Sequence, residues 1–300
     1  MAGSQDFEAD PRNETVLVWL NGALVPRAEA RVSLFDAGFG MGDGVWEGLR
    51  LHRGRLLFLE RHLDRLFDGA KAIRLDIGKS RAEIEAALTE TLAANAMTDG
   101  VHARLMVTRG VKSTVSQDPR NALGVPTIAI TAEHKRSANA DRGLALAKVS
   151  VRCTPASMFD MRLNSHSRLN LITALLEAIE AGADEALMLD PAGYVSSCNA
   201  TNFFFVKDGE IRTSTGEFCF NGVTRAQVIE LARAHGLPLR LGAFRPGEAR
   251  SADEAFVTGT MAGITPVRMI DGAALPACPG PVTRQVRAFY EKLKDEDAAR

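Results

Sequence analysis

The sequence predicts an α+β fold in two domains, on three observations. Its 300 residues suffice for two modest domains, each with its own core. Strand-like runs cluster before and between helices instead of alternating strictly with them, which favours α+β over a doubly wound sheet. A polar stretch, "KRSANADRG" (135–143), separates two halves richer in apolar residues. The expected limits are a disordered lead-in over 1–14, an N-terminal α+β domain over 15–135, a linker over 136–143 and a second domain over 144–300.

The elements follow in order. "TVLVWLNGALV" is β-rich around an Asn21-Gly22 turn signal and reads as an opening hairpin. "FLERHLDRLFDGAKAI" carries Leu59, Leu63, Leu66 and Phe67 on one helical face with charges on the other. "SRAEIEAALTETLAANA" opens with Ser80 and Glu83 in the spacing of a capping box. Three strand-like runs come next, "HARLMVTRG", "PTIAITAEH" and "LALAKVSVR". The second half predicts a helix over 168–182, a strand "EALMLD", and a hairpin "FFFVKDGEIRT" turning at Asp208-Gly209. A helix "TRAQVIELARAHG", a strand "EAFVTGT" and a closing helix "VTRQVRAFYEKLK" complete the order.

Composition narrows the function classes. With 46% hydrophobic and 24% charged residues, the chain reads as an ordinary globular protein. A formal net charge of −1 without basic blocks gives no electrostatic reason to expect nucleic acid or a membrane surface. Apolar runs such as 203–206 are far too short to cross a bilayer. The opening "MAGSQDFEADPRNE" is polar and acidic, unlike a signal peptide. Cys153, Cys198, Cys219 and Cys278 lie far apart with no CxxC pair, which argues against zinc and fits a reducing cytosol.

Three pieces can carry chemistry. In "FNGVTRAQVIEL", Val223-Thr224 open an amphipathic helix, whose free N–H groups and positive dipole end favour a phosphate. Alone, the same residues are an ordinary threonine N-cap. "FVTGTMAGITPV" ends a strand in Thr258-Gly259-Thr260, and Arg65 in "ERHLDRL" is by itself a solvated helix arginine. Their company changes the reading. "VWLNGALVP", "GFGMGDGVWEGLRLHRGRLLFLERHLDRLFDGAK", "RLMVTRG", "LLEAIEAGADEALMLD", "NFFFVKDGEI", "NGVTRAQVIELA", "DEAFVTGT…ITPV" and "DG…PGPVTRQV" occur in that order. From about Thr15 to Leu293 the chain resembles the class IV (fold type IV) pyridoxal-phosphate aminotransferases. "GDGVWEGLR" leans toward the branched-chain group, which usually has Phe where this chain has Trp46.

The resemblance implies a two-domain fold type IV architecture with the cofactor at the domain junction, normally in a homodimer. It makes 144–300 the cofactor-cup domain. It implies that Arg65, the backbone and hydroxyl at Val223-Thr224, and Thr260 bind the phosphate of pyridoxal 5'-phosphate, and that Trp46 faces the substrate side chain. Two other positions depart. Where the family places its Schiff-base lysine, this chain has Asn164, and no lysine occurs between Lys148 and Lys207. Where it places a glutamate for the cofactor's ring nitrogen, the segment "SSCNATN" has Ser197, with no acid between Asp190 and Asp208. An amide neither forms the covalent link nor accepts a proton near neutral pH. Losing a positioned base costs roughly 10²–10⁴ in rate, about 3–5 kcal/mol of barrier.

After "VTRG" the D-amino-acid branch carries Arg and His, whereas Thr114 and Ser116 stand here, so D-amino-acid specificity is disfavoured. Lys112 and Arg120 are read as anion contacts or as solvated loop charges. His166 is the candidate substitute base, or else a helix-capping histidine. Cys198 is a candidate nucleophile, or else a buried inert thiol. The leading expectation is a cytoplasmic, homodimeric enzyme that binds pyridoxal phosphate or its amine form non-covalently and acts on a small amino or keto acid. Two alternatives stand beside it: a cofactor-independent enzyme using the phosphate cup for an anionic substrate, and a non-catalytic vitamin-binding protein.

Overall fold

The structure, a computed structural model, describes Gly3, residues 6–136 and residues 142–300. Residues 137–141 of the predicted linker, and 1, 2, 4 and 5 of the predicted lead-in, lie outside the described residues. The chain divides into two compact units. Ala9–Arg136 and Leu163–Arg168 make an N-terminal unit, while residues 142–162 and Leu169–Ala299 make a C-terminal unit. The short segment carrying Asn164 therefore belongs with the first unit, a return that a linear boundary at 136–143 does not convey.

In the N-terminal unit, Pro11–Thr15 form a 3-10 turn where the sequence predicts disorder. Asp10 accepts from Arg12 N, and Asn13 Nδ2 donates to His134 O, which ties this turn to the sheet. Strands β1 (Leu17–Leu20) and β2 (Ala23–Pro26) pair through the expected turn, with Asn21 and Gly22 both at positive φ. After a short helix α1 (Ala37–Met41) come β3 (Gly44–His52), β4 (Arg55–Leu56), α2 (Leu59–Ala72), α3 (Arg81–Ala94), β5 (Val101–Thr108) and β6 (Thr127–His134). They build a six-stranded antiparallel sheet in the order β2-β1-β6-β5-β3-β4. Alternation along β3 and β5 sends Leu49 and Leu105 to the face on which α2 lays Leu63 and Leu66, all four fully buried. Leu59 and Phe67 pack at its margin. The capping box at Ser80 and Glu83 forms as expected.

The C-terminal unit contains β7 (Leu144–Arg152), α4 (Leu169–Glu180), β8 (Glu185–Leu189), β9 (Val195–Cys198), β10 (Asn202–Lys207) and β11 (Glu210–Thr213). It continues with α5 (Val223–Ala234), β12 (Leu239–Leu241), α6 (Pro246–Arg250), β13 (Glu254–Gly259), β14 (Gly263–Ile270), β15 (Ala273–Ala274) and α7 (Pro281–Ala298). The mixed nine-stranded sheet runs β12-β11-β10-β13-β14-β7-β8-β9, with β15 on β14. Central β10 is buried on both faces, so it reads as the continuous run Phe203, Phe204, Phe205. Phe204 stacks on Phe256 of β13 at 5.0 Å between ring centroids. Helices α5 and α7 pack on each other and on β13. Glu254 caps α7 by accepting from Val282 N and Thr283 N at 3.0 and 2.8 Å. No helix among the described residues is long and apolar enough to cross a membrane.

Candidate active site

The candidate residues of the N-terminal unit are grouped around β3. On the face toward α2, Glu47 is fully buried, and three short bonds hold it there. Arg65 of α2 donates from Nε at 2.7 Å and from Nη2 at 2.6 Å, and His62 Nδ1 lies 2.7 Å from Oε2. Burial alone would raise the Glu47 carboxyl. The charge and hydrogen bonds of Arg65, then those of His62, outweigh it and hold the group below its ordinary value. Burial lowers His62, so the imidazole is neutral at pH 7 and Nδ1–H is the donor to the carboxylate. Arg65 is thus oriented by a buried carboxylate rather than being the solvated helix arginine it resembles in isolation.

The other face of β3 carries Trp46. The segment 163–168 lies against this end of the strand in a short antiparallel ladder. Trp46 N donates to Asn164 O, His166 N donates to Gly44 O, and Val45 pairs with Ser165. Trp46 Nε1 also donates to Ser165 O at 3.1 Å. Asn164 is buried, and its Nδ2 donates back to Trp46 O at 2.5 Å while its Oδ1 accepts from Arg168 Nη2. The guanidinium of Arg104, from β5, lies 3.9 Å from the Trp46 ring centroid, and that of Arg168 lies 5.4 Å away. Burial, then the charges of Arg104 and Arg65, pull Arg168 down to about 10. His166 packs over Gly44, where a Cβ would come within 2.7 Å of the ring carbon. Burial and the Arg104 charge push His166 down to about 4, and its buried Nε2 has no hydrogen-bond partner.

The candidate residues of the C-terminal unit lie on β9, β10, β13 and the start of α5. Ser197 donates from Oγ to Thr201 O at 2.8 Å and accepts from Asn202 Nδ2 at 3.2 Å. The same Asn202 donates to Phe220 O and accepts from Gly222 N, so one amide ties Ser197 to the beginning of α5. A Cβ at Gly222 would meet Asn202 Oδ1 at 2.5 Å, which explains the glycine. Val223 and Thr224 are buried in the first turn of α5, whose N-cap Gly222 offers no side chain of its own. A buried helix start whose N-cap brings no side chain suits an external anion. Thr224 Oγ1 lies 3.5 Å from Tyr290 Oη, Thr258 Oγ1 is buried without a partner, and Thr260 follows directly after β13. Cys198 is buried, and burial pushes its thiol well up, as expected of an inert cysteine.

Val223, Thr224, Thr260 and Ser197 therefore belong to the C-terminal unit, and Trp46, Arg65, Asn164 and His166 to the N-terminal one. The donors at α5 fit a phosphate. Nothing at Asn164 or Ser197 fits a covalent link or a carboxylate for a ring nitrogen, since both side chains are hydrogen-bonded within the protein and neither bears an amine or acid. Among the described residues no group of three or more His, Cys, Asp or Glu is placed to hold a metal. Lys112 is buried with Nζ on Ser116 O, and Arg120 is exposed and paired with Asp118, so only the second is a solvated loop charge.

Sequence reasoning passes over Glu47, His62, Arg104, Arg168 and Asn202. Two signals were present: an acid inside the apolar run "VWEGLRL", and a histidine three residues before Arg65 on one helix face.

Comparison with known proteins bears on this geometry. The family described as amino-transferase class IV matches residues 44–270. The chain is 40% identical over 288 residues to branched-chain-amino-acid aminotransferase-like protein 2 of Arabidopsis thaliana, covering 95% of this chain and 51% of that protein. The chain thus spans about half the length of that relative. It is 37% identical over 280 residues to the putative branched-chain-amino-acid aminotransferase of Methanocaldococcus jannaschii, covering 93% and 94% of the two chains. Among solved structures, a T.th. branched-chain amino acid aminotransferase complexed with N-(5'-phosphopyridoxyl)-L-glutamate superposes with a TM-score of 0.86 at 30% identity, covering 94% of this chain and 95% of that one. The same T.th. protein has also been solved with pyridoxamine 5'-phosphate.

Proposed function

The chain belongs to the class IV aminotransferases, and from that premise we propose a branched-chain-aminotransferase-like protein that holds pyridoxal 5'-phosphate, or its amine form, by the phosphate alone. It acts on a small amino or keto acid. The observation that carries the reading is the first turn of α5, buried at Val223 and Thr224 and opened by a glycine that offers no side-chain cap. Its N–H groups, the hydroxyls of Thr224 and Thr260, and the guanidinium of Arg65 are the phosphate ligands in this reading. Glu47 and His62 keep Arg65 aimed.

When bound, the cofactor supplies an electron sink for bond breaking at the substrate's α-carbon. Trp46 faces the substrate side chain, and Arg104 beside it is the cation for a carboxylate. Proton movement is the weak step. Asn164 cannot accept a proton, and the neutral His166, with its unpartnered Nε2, is an acceptor that holds a proton poorly at pH 7. Turnover is accordingly lower than a lysine-bearing relative's by roughly 10²–10⁴.

Titration calorimetry with pyridoxal phosphate and with phosphate-free pyridoxal tests the reading. Only the phosphate ester should bind, and Arg65→Ala should weaken it by about 10- to 150-fold, the loss of one charge-assisted contact. Equal binding of both vitamers contradicts the proposal. Binding of inorganic phosphate but neither vitamer favours a cofactor-independent enzyme for an anionic substrate. Binding of the ester with no turnover of any amino or keto acid favours a vitamin-binding protein. We further propose a homodimer, because α4 exposes an apolar stripe of Leu169, Ile172, Leu176 and Ile179. A cytoplasmic location is consistent with the four cysteines being unpaired.

A further inference from the structure

Position 164 is where the resemblance implies a lysine, and its amide is hydrogen-bonded through both nitrogen and oxygen. Asn164 Nδ2 donates to Trp46 O, and Oδ1 accepts from Arg168 Nη2. Arg168 is anchored a second time through Nε to Ser165 O at 2.9 Å. The two residues are four apart but precede α4, so no helix brings them together. The bend does so, held by His166 N on Gly44 O and by Ser167 Oγ on Gly42 O at 3.0 Å. We propose that Arg168 is a positioning residue that locks Asn164, so that amide and guanidinium act only together and a lysine at position 164 is poorly tolerated while the arginine stays.

The reason is donor and acceptor matching. A guanidinium has donors and no acceptor, and an amide oxygen satisfies it without adding charge. A lysine ammonium is likewise donor-only, so at position 164 it would set a second cation against Arg168. Other charged groups act on the same spot. Arg104 from β5 and Arg65 from α2 add positive charge, and Glu47 from β3 opposes them. His166 beside them is neutral above about pH 4. Restoring the lysine therefore requires removing the arginine. The lock itself stands on hydrogen bonds within the N-terminal unit, while its link to cofactor chemistry rests on the function proposed above.

A cycle of four proteins tests it, first without cofactor: wild type, Asn164→Lys, Arg168→Met and the double variant, melted at pH 7. Asn164→Lys should lower the midpoint. The double variant should melt above Asn164→Lys by about 2 °C or more, although it carries one substitution more. A double variant that melts below Asn164→Lys by the decrement of Arg168→Met alone overturns the proposal. If Asn164→Lys does not fold, Asn164→Asp replaces it. That variant should hold its midpoint with Arg168 present and lose it in Arg168→Met, and insensitivity to Arg168 overturns the lock. A second readout is one that a merely structural role would leave unmoved. With pyridoxal phosphate and borohydride, the double variant should trap at least about tenfold more adduct at position 164 than Asn164→Lys. Equal trapping refutes the coupling. If no variant binds the ester, the function proposed above fails, and the melting cycle still decides the lock.

Discussion

Replacing Glu47 by Gln tests whether a buried carboxylate organises Arg65. The substitution keeps shape and removes charge from a group that accepts from Arg65 at 2.7 and 2.6 Å and from His62 at 2.7 Å. One amide oxygen remains, so not every bond is lost, but an amide –NH₂ now faces donors. Breaking a buried pair on one side costs about 3–5 kcal/mol, and that is the expected deficit at pH 7. Urea unfolding of the cofactor-free protein measures it. Both tryptophans, Trp19 and Trp46, lie in the N-terminal unit, so their fluorescence follows that unit alone. The pH dependence gives a second check. Glu47's folded pKa is lowered, so its stabilisation is present above about 4.3, the ordinary glutamate value, and is lost as pH falls through the folded value. His62's folded pKa is also lowered, so both proteins lose stability as pH falls below about 6.5, Glu47→Gln the more because it lacks the carboxylate that holds His62 up. The carboxylate's own contribution is gone once Glu47 is protonated. The gap between wild type and Glu47→Gln should therefore close in strong acid. A deficit below about 1 kcal/mol at pH 7, the size of an exposed ion pair, would refute the buried-pair reasoning.

Other outcomes follow from the same structure. His166 should remain neutral down to about pH 4, read as a late-titrating histidine in NMR that is missing from His166→Ala; a midpoint near 6.5 would mean that the ring is solvated. Of four cysteines only Cys278 is exposed, so a thiol reagent should modify one site quickly in the native protein and all four after denaturation. Burial pushes Cys153 up to about 11 and raises Cys198 and Cys219, and rapid native labelling of Cys198 would contradict their inertness.

The sequence made the local elements readable because the signals for them are local. Asn21-Gly22 fixes a turn by its own backbone preference, and the Ser80–Glu83 box closes within one helical turn. The return of Leu163–Arg168 to the N-terminal unit was not readable, because it depends on hydrogen bonds between Trp46 and Asn164, 118 residues apart. The same applies to Glu47. Its chemistry is visible as an acid in an apolar strand, but its partners become evident only once β3 and α2 are packed. Asn164 and Ser197 are singled out from the motifs around them. What their side chains touch, Arg168 in one case and Thr201 with Asn202 in the other, needed coordinates.

The most direct measurement is native mass spectrometry of the protein incubated with pyridoxal phosphate, before and after borohydride, alongside its absorbance spectrum. The expected result is one cofactor mass per chain that is lost on denaturation and not trapped by reduction. A borohydride-stable adduct mapped to any lysine would contradict phosphate-only binding and restore ordinary lysine chemistry, and no mass shift at all would contradict cofactor binding itself.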